Sequence, residues 1–418
     1  MEKLLILGVD SAFVGIISTA KEKGLYTIVS DFYTPEQNPA KLLADEYWMI
    51  DVSDLDALEK KVHEEGVTAV MAGNHETCLD NALLLNKRLG FPFYATDYSW
   101  EVARDKSLFK QLAEECGLDI AKNYGMIYET DPELVKALEY PVVVKPVDSS
   151  SMRGFSVAHS EEEFYKAYEY ARSFSATRRV MVEEFLDGLE FLICGYAQNG
   201  NIKITICNDT YTNHFYGRDV MAQFLPIRLD YEMSPDFSQK CIHLAEKMQI
   251  QNGAFFFQGI RHKGKFCLIE GTARLDGGGL WNICNQLFGF NVVGNLINYA
   301  RGIEPDSLLE DFDFNLKGRS FAVYGIWTHP GVVKEVHGVE EVATMDGVDI
   351  ILKRFLPGTK VGLNYNLTQI CFYLNLVAKN GKEMAEKFRY INNHLKLINE
   401  DGENMCAYMT NYDDIEHA

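Results

Sequence analysis

The chain has 418 residues, 47% of them hydrophobic and 24% charged, which is the composition of a globular protein with room for two to four domains. Sixty acidic against forty basic residues give a net charge of -20. This balance disfavours nucleic acids and anionic membrane surfaces as partners, because both attract clustered Lys and Arg.

The sequence shows little sign of a targeting segment, a membrane span or a cysteine-based site. The four apolar residues before Gly8 are too few for a signal-peptide core, and no stretch approaches the roughly 20 apolar residues of a membrane span. Nine cysteines without CxxC spacing indicate neither a disulfide framework nor a zinc site. We therefore expect a cytoplasmic protein with reduced thiols.

The first hundred residues alternate short apolar runs with helical patterns. Gly66 follows a helical period over 53–65 and is a suitable C-terminal cap. The alternation predicts βαβ units and a parallel sheet. The predicted strands are 4–7, 26–29, 47–50 and 67–71.

A different order of elements follows. One amphipathic segment over 102–116 precedes a compact α+β stretch in which Ser160 and Glu163 form a capping box. Hairpins are predicted around Asn199-Gly200 and over 262–265. From about residue 306 the pattern changes to short strands, closed by a helix near 380–396.

The loop after the first strand is a poor dinucleotide site. Such a site needs three glycines, for the tight turn, the pyrophosphate approach and helix packing. Only Gly8 and Gly15 are present, at the wrong spacing.

A lysine at the end of an apolar strand is a stronger signal. Lys145 directly precedes a loop of small residues that runs to Gly154. Backbone N–H groups of such a loop can wrap phosphates while the lysine supplies a point charge. The alternative is a snorkelling lysine before an ordinary surface turn.

Carboxylates and an amide form two further clusters along the chain, and those that flank the second hairpin could project from neighbouring strands toward one site. Glu183 and Glu190 are seven residues apart after a strand, and Gln258 and Glu270 flank the second hairpin. Mg²⁺ takes oxygen ligands, typically one or two carboxylates plus substrate phosphates. Solvated surface carboxylates are the alternative interpretation.

These elements, in this order over about residues 1–300, resemble the ATP-grasp family of carboxylate–amine and carboxylate–thiol ligases. The resemblance implies an α/β fold with an N-terminal parallel-sheet (pre-ATP-grasp) domain, a small α+β lid and a C-terminal α+β domain. The implied domains are 1–100, 101–305 with the lid at about 125–182, and 306–418. The last part, with Ile326 to Gly331, is similar to the L-amino-acid ligase branch.

The resemblance also implies a nucleotide site. Lys106 matches the first lysine of the family and Lys145 the second, and the hinge that holds adenine is followed by a ribose-binding acid. The lid loop over the β- and γ-phosphates matches Ser149, Ser150, Ser151, Met152, Arg153 and Gly154; the hinge matches Glu183, Phe185 and Leu186, with Glu184 beside them; the acid matches Glu190.

The implied metal ligands are Gln258 and Glu270, and Arg274 matches the arginine that faces the reacting carboxylate. Two positions depart from the family. Three serines replace the usual lid glycines, and Thr272 stands where an asparagine commonly coordinates a second Mg²⁺. A hydroxyl is the weaker ligand.

The reaction implied is activation of a carboxylate by ATP as an acyl phosphate, which an amine attacks to give an amide, ADP and phosphate. Arg274, Lys145 and Arg153 are the predicted catalytic residues, ATP and Mg²⁺ (or Mn²⁺) the cofactors, and small carboxylates and amines the partners. A homodimer is one option. The alternatives are a glycinamide-ribotide-synthetase-like or biotin-carboxylase-like reaction, or a nucleotide-binding regulator without turnover.

Further polar residues keep two interpretations each. His75-Glu76 follows the fourth strand, at the sheet edge where ligands bind, and either contacts substrate or lies in a solvated loop. His214, Arg218 and Arg228 either reach a substrate or form salt bridges.

Overall fold

The computed structural model describes residues 1–9, 14–35, 37–149, 153–215, 218–226, 235–308, 312, 318–363 and 369–416. Ser150, Ser151, Met152 and Arg228 lie outside these ranges, as do the side chains of His214 and Arg218. No helix within the described ranges combines the length and apolarity needed to cross a bilayer.

The N-terminal unit is the predicted parallel sheet, with strand order β3-β2-β1-β4. The Asp54 carboxylate caps its second helix by accepting from Ala57 N, and Gly66 ends that helix at φ 64°. The elements are β1 (Lys3–Leu7), α1 (Val14–Glu22), β2 (Tyr26–Ser30), a 3-10 helix (Pro39–Leu43), β3 (Glu46–Trp48), α2 (Leu55–Glu65), β4 (Ala69–Ala72) and α3 (Glu76–Leu89).

The amphipathic segment predicted as one run is two helices, α4 (Asp97–Arg104) and α5 (Lys106–Glu115), followed by β5 (Asp119–Ile120). Asp105 separates them in an extended conformation, and its carboxylate accepts from Ser107 N and Leu108 N. The apolar period continues across the break, which is why periodicity alone missed it. The break places Lys106 in the first turn of a new helix.

The lid is a four-stranded sheet in the order β6-β9-β7-β8, and its hydrophobic core includes residues of both α6 and α7. Its capping box differs from the prediction: Ser160 accepts from Glu163 N, but the Glu163 carboxylate accepts from His159 N, one residue before the cap. The elements are β6 (Asn123–Ile127), α6 (Pro132–Lys136), β7 (Val142–Pro146), β8 (Ser156–Ala158), α7 (Glu161–Ser173) and β9 (Val180–Glu184).

The predicted hairpins form the centre of a large sheet. Asn199-Gly200 is the turn of the first predicted hairpin, and Lys263-Gly264 is the turn of the second. The elements are β10 (Leu189–Gln198), β11 (Asn201–Phe215), β12 (Arg218–Pro226), α8 (Pro235–Lys247), β13 (Gly253–His262), β14 (Lys265–Thr272), α9 (Leu280–Phe288) and α10 (Val292–Ala300).

The chain after residue 306 extends this sheet across the predicted domain boundary. The strand order in the described residues is β17-β19-β15-β12-β11-β10-β13-β14-β5, with β21 on β15 and a separate sheet β18-β16-β20. The elements are β15 (Ser320–Thr328), β16 (Gly331–His337), α11 (Val339–Ala343), β17 (Val348–Lys353), β18 (Lys360–Val361), β19 (Ile370–Ala378), α12 (Gly381–His394), β20 (Lys396–Asn399), β21 (Cys406–Ala407) and α13 (Tyr412–Glu416).

Both faces of the large sheet are covered. Alternate residues of β10 point to opposite faces, so Leu192 belongs to the core shared with the N-terminal unit, α9 and α10, while Phe191 and Ile193 belong to the core with α5 and α8. The sheet therefore holds the N-terminal unit and α5 at fixed positions relative to β13 and β14.

Gly154 tests the packing of the lid. It is buried at φ 77°, and a Cβ there would lie 2.7 Å from Pro146 Cγ and 2.9 Å from Phe174 Cβ. We expect Gly154→Ala to speed hydrogen exchange over residues 130–182, because it adds a steric clash to about 1 kcal/mol of backbone strain.

Gly24→Ala is the matched control for that variant. Gly24 has φ 76° but nothing within 4 Å of its added Cβ, so its variant carries the strain without the clash. Equal local destabilisation in the two variants would show that packing around Gly154 contributes nothing.

Candidate active site

An open cleft lies where the N-terminal unit, α4 and α5, the start of the lid loop and the end of β14 meet. Five of the residues predicted for the site line it: Lys106, Ser149, Glu270, Thr272 and Arg274. The other lining residues are Glu76, Val102, Ala103, Arg104, Phe109, Asp148 and Gly271.

Lys106 joins α5 to the lid loop. The Asp105 cap starts α5 at this residue, and Lys106 Nζ donates to Ser149 O at 2.8 Å. Burial lowers the pKa of Lys106; Glu270 raises it, and Lys145 lowers it further. The cleft therefore holds a partly desolvated cation, which attracts anions more strongly than a solvated one.

Lys145 is directed toward a buried carboxylate. Lys145 Nζ lies 2.7 Å from Glu183 Oε2, and Lys110 Nζ donates to Glu183 Oε1. The side chains of Glu183 and Lys110 are 2% exposed and that of Lys145 14%. Burial raises the pKa of Glu183, but the two lysines outweigh it and hold the pKa below its ordinary value, so the carboxylate is charged.

Sequence reasoning missed Lys110. Burial lowers its pKa to about 8, although Glu183 opposes the shift. A signal was available: Lys110 is four residues after Lys106 and adjacent to Phe109, so it lies on the half of α5 that packs inward.

The predicted hinge comprises Glu183 and Glu184 at the end of β9 and Phe185 and Leu186 after it, and other parts of the chain hold it from both sides. The Glu184 carboxylate lies 3.5 Å from His262 Nε2, and Phe185 N donates to Pro141 O of the lid. Leu186 is buried. His262, also absent from the sequence predictions, bonds the Asp187 backbone at the same place, so the β13–β14 hairpin braces the hinge.

The acid and the predicted metal ligands share one region of the sheet. Gln258 on β13 is directly opposite Glu270 on β14, and Gln258 Nε2 donates to Glu190 Oε2 at 3.2 Å. Thr272 follows Glu270 by two residues and therefore shares its face. Burial raises the pKa of Glu190; the bond from Gln258 lowers it, and Glu270 raises it further.

Arg274 extends into the cleft just beyond β14. Arg274 Nη1 donates to Leu275 O at 2.9 Å, its guanidinium lies 5.0 Å from the Phe256 ring centroid, and Nε is buried without a hydrogen-bond partner. The ion-pair partner is Glu76, with Arg274 Nη2 at 3.8 Å from Glu76 Oε1.

From proximity in the sequence, Glu270 and Asp276 are the expected ion-pair partners of Arg274. The pairing with Glu76 corrects this expectation. Asp276 is buried and its carboxylate accepts from Gly278 N and Leu280 N, so it caps α9. The alternative interpretation of Glu76 as part of a solvated loop is also wrong, because Glu76 lines the cleft and bonds Arg104. Its neighbour His75 is exposed.

The remaining predicted residues lie around the cleft rather than in its lining. Lys145, Glu183, Glu190 and Gln258 are not among the described lining residues, and Arg153 is exposed on the lid. The cleft thus brings together some of the residues assigned to phosphate and metal with Arg274, assigned to the carboxylate. The residues assigned to adenine and ribose lie on β9, on β10 and in the segment between them.

Charge in the cleft differs from that of the whole chain. Three basic side chains (Arg104, Lys106 and Arg274) and three acidic ones (Glu76, Asp148 and Glu270) line it, whereas the chain has a net charge of -20. Within the described residues, no cluster of three or more His, Cys, Asp or Glu side chains could hold a metal ion. A metal here would need further oxygen ligands, such as those of a phosphate.

Because the pKa of Glu190 is raised in the folded protein, ionisation of this side chain at higher pH is expected to lower the stability of the fold. A carboxyl group with a raised folded-state pKa favours folding below its unfolded pKa, and this contribution is lost as the pH rises through the folded value. We expect Glu190→Gln to raise the Tm above neutral pH and to change it little near pH 4, where both side chains are neutral. Thermal melts of both proteins from pH 4 to 9 measure this difference, and an unchanged gap across that range would contradict it.

Known proteins with similar sequences include formyltransferases and a synthase, and the matching family is named for a ligase. The family described as "D-ala D-ala ligase C-terminus" matches residues 113–251. The formate-dependent phosphoribosylglycinamide formyltransferase of Methanocaldococcus jannaschii is 31% identical over 189 residues, 44% of this chain and 48% of that protein. Dapdiamide A synthase of Enterobacter agglomerans is 24% identical over 379 residues, 85% of this chain and 87% of the synthase. The chain spans about half the length of the formyltransferases it matches.

Solved structures show the same architecture over almost the whole chain. The L-amino acid ligase from Bacillus licheniformis has a TM-score of 0.75 at 18% identity, covering 96% of this chain and 99% of the ligase. Biotin carboxylase from Campylobacter jejuni has a TM-score of 0.76 at 16% identity, covering 100% of this chain and 94% of the carboxylase. The chain is therefore related to the ATP-grasp ligases and has their fold, as its sequence predicts.

Proposed function

We propose that this protein is an ATP-dependent ligase that converts a carboxylate into an acyl phosphate and joins it to an amine, with release of ADP and phosphate. The observation that carries the proposal is the convergence in one cleft of Lys106, from the start of α5, with Glu270 and Arg274, from the end of β14 and just beyond it. This reaction requires cations that bind phosphate, an oxygen ligand for a metal ion, and a guanidinium that binds a carboxylate through two hydrogen bonds.

Phosphate binding is assigned to the lysines and the lid loop. Phosphoryl transfer needs mainly positioning and neutralisation of charge. Lys106, bonded to Ser149 O, supplies a fixed cation at the lid loop, and Lys145 supplies a second one. Arg153 is proposed to add a third from the lid. Glu184, Phe185, Leu186 and Glu190 are assigned to the nucleoside.

Mg²⁺ bound with the nucleotide fits the residues present. Glu270 offers a carboxylate in the cleft, Thr272 a hydroxyl beside it and Gln258 an amide oxygen from the opposite strand. This set matches the usual preference of Mg²⁺ for few protein ligands together with phosphates and water. Mg²⁺ there supplies charge neutralisation of the phosphates, and Mn²⁺ is the alternative.

Arg274 is assigned to the carboxylate that reacts. Its Nε has no partner, and its contact with Glu76 is long. A guanidinium with unused donors can grip a carboxylate through two parallel hydrogen bonds and stabilise an oxyanion that forms later. Glu76 is proposed to face the amine, because an acidic side chain can accept from an ammonium group.

Two substrate classes have support. Similarity to dapdiamide A synthase over most of the chain, together with the L-amino acid ligase fold, favours amide formation between amino acids. The formyltransferases support formate and a phosphoribosylglycinamide as a second candidate pair. Assembly as a homodimer and a cytoplasmic location remain predictions.

An ADP-release assay distinguishes these alternatives. The wild-type chain is incubated with Mg²⁺-ATP and amino acids, singly and in pairs, and separately with formate plus phosphoribosylglycinamide. We expect ADP release only with a matched acid and amine, and loss of release in Lys145→Ala. Tight ATP binding without ADP release under any condition would favour a regulator without turnover.

Glu270 should matter more than Gln258 for metal-dependent turnover. Glu270→Gln removes charge between metal and phosphate, so we expect a loss of about 100-fold or more, the scale for one electrostatic group. Gln258→Ala removes only a dipole and should cost about 10-fold. Turnover measured across Mg²⁺ concentrations tests the ranking, and equal losses would reject it.

Arg274→Lys separates catalysis from stability. A lysine keeps the charge but cannot form two parallel bonds, so we expect ATP affinity within about twofold and turnover lowered about 100-fold. If the side chain only pairs with Glu76, the variant should instead lose thermal stability and keep turnover.

Arg301→Lys is the control for Arg274→Lys. Arg301 forms a comparable partly buried ion pair, with Glu2, away from the cleft. Its variant should show only a change in Tm.

A further inference from the structure

We propose that Lys110 is a positioning residue: it keeps Glu183 charge-paired, so that Lys145 can leave this carboxylate and bind nucleotide phosphate. The proposal rests on the function proposed above, in which Lys145 meets phosphate. It assigns a role to a buried lysine that does not line the cleft.

The two lysines use different oxygens of one carboxylate. Lys110 is bonded to Glu183 Oε1, and Lys145 lies 2.7 Å from Oε2. Movement of Lys145 away from Oε2 therefore leaves the bond to Oε1 intact. The group has one negative and two positive charges, so one cation can depart and leave a neutral pair.

Exposure shows which lysine is able to move. The Lys110 side chain is 2% exposed and comes from α5, whereas the Lys145 side chain is 14% exposed and comes from the lid strand β7. Lys145 directly precedes the loop that holds Ser149, which lines the cleft. Lys110 is the fixed cation and Lys145 the mobile one.

Without Lys110, the same movement would be unfavourable. Lys145 would be the direct ion-pair partner of a carboxylate that is 2% exposed. Breaking the last pair of a buried charge is strongly destabilising, because the charge is left without compensation. Lys145 would then stay paired with Glu183 and would not be available to bind the phosphates. Lys110 and Lys106 both repel Lys145, which further favours its release when an anion is near.

Equilibrium binding of ATP and of adenosine tests the inference. We expect Lys110→Met to weaken ATP binding by about 10- to 100-fold and adenosine binding by less than about twofold, since only ATP uses Lys145. Lys110→Met combined with Glu183→Gln should recover most of the ATP affinity, because the neutral amide no longer retains Lys145. Lys166→Met removes an exposed lid lysine paired with Glu162 and should match wild type.

Each outcome has a distinct meaning. Equal weakening of ATP and adenosine, or no recovery in the double variant, would show that Lys110 only supports the hinge. If Lys110→Met fails to fold, Glu183→Gln alone decides: the proposal requires ATP affinity to be retained at least as well as adenosine affinity, and a selective loss for ATP rejects it. Absence of ATP binding by the wild type would overturn the proposed function itself.

Discussion

The buried carboxylate of Glu183 is the interaction on which the rest of the site depends. It lies on β9 of the lid and holds Lys145 of the neighbouring strand and Lys110 of α5, three parts of the chain that share no local sequence. A buried ionised carboxylate is tolerated only when paired, so lid and linker helix must stay in register for the fold to keep this charge. The same constraint keeps the strand that carries Lys145 beside the hinge that follows Glu183.

The charges that line the cleft nearly balance, although the chain as a whole is strongly acidic. The described lining of the cleft holds three basic and three acidic side chains although the protein carries a net charge of -20, and distant acidic residues in solvent are screened beyond about 10 Å. Lys106 is partly desolvated and Arg274 lies against the Phe256 ring, so both cations act in a medium less polar than water. Glu76 pairs with both Arg104 and Arg274 and so offsets the repulsion between them, and it is the only acidic group that the N-terminal unit contributes to the described lining.

Departures from the family pattern concentrate where the ligand is expected rather than in the scaffold. Thr272 is buried on the same sheet face as Glu270, which fits a site where one carboxylate supplies most of the charge for a metal. Gly271 between them lies under Phe109 and Phe257, with no room for a Cβ, so the backbone of this strand end is set by core packing. The position of Glu270 therefore follows from the hydrophobic core beneath it.

The sequence by itself determined the parallel N-terminal sheet, the lid, both hairpins and five of the twelve described residues that line the cleft. These features depend on local signals: period-2 and helical patterns, caps such as Asp54 with Gly66, and turn residues such as Asn199-Gly200. Only the tertiary structure decided that Lys110 meets Glu183, 73 residues away, and that Arg274 pairs with Glu76 instead of a nearby acid. It also decided that β15, β17 and β19 continue the central sheet past residue 306. Ion pairs and sheet neighbours are chosen by which surfaces meet when the cores pack, and spacing along the chain carries no record of that choice.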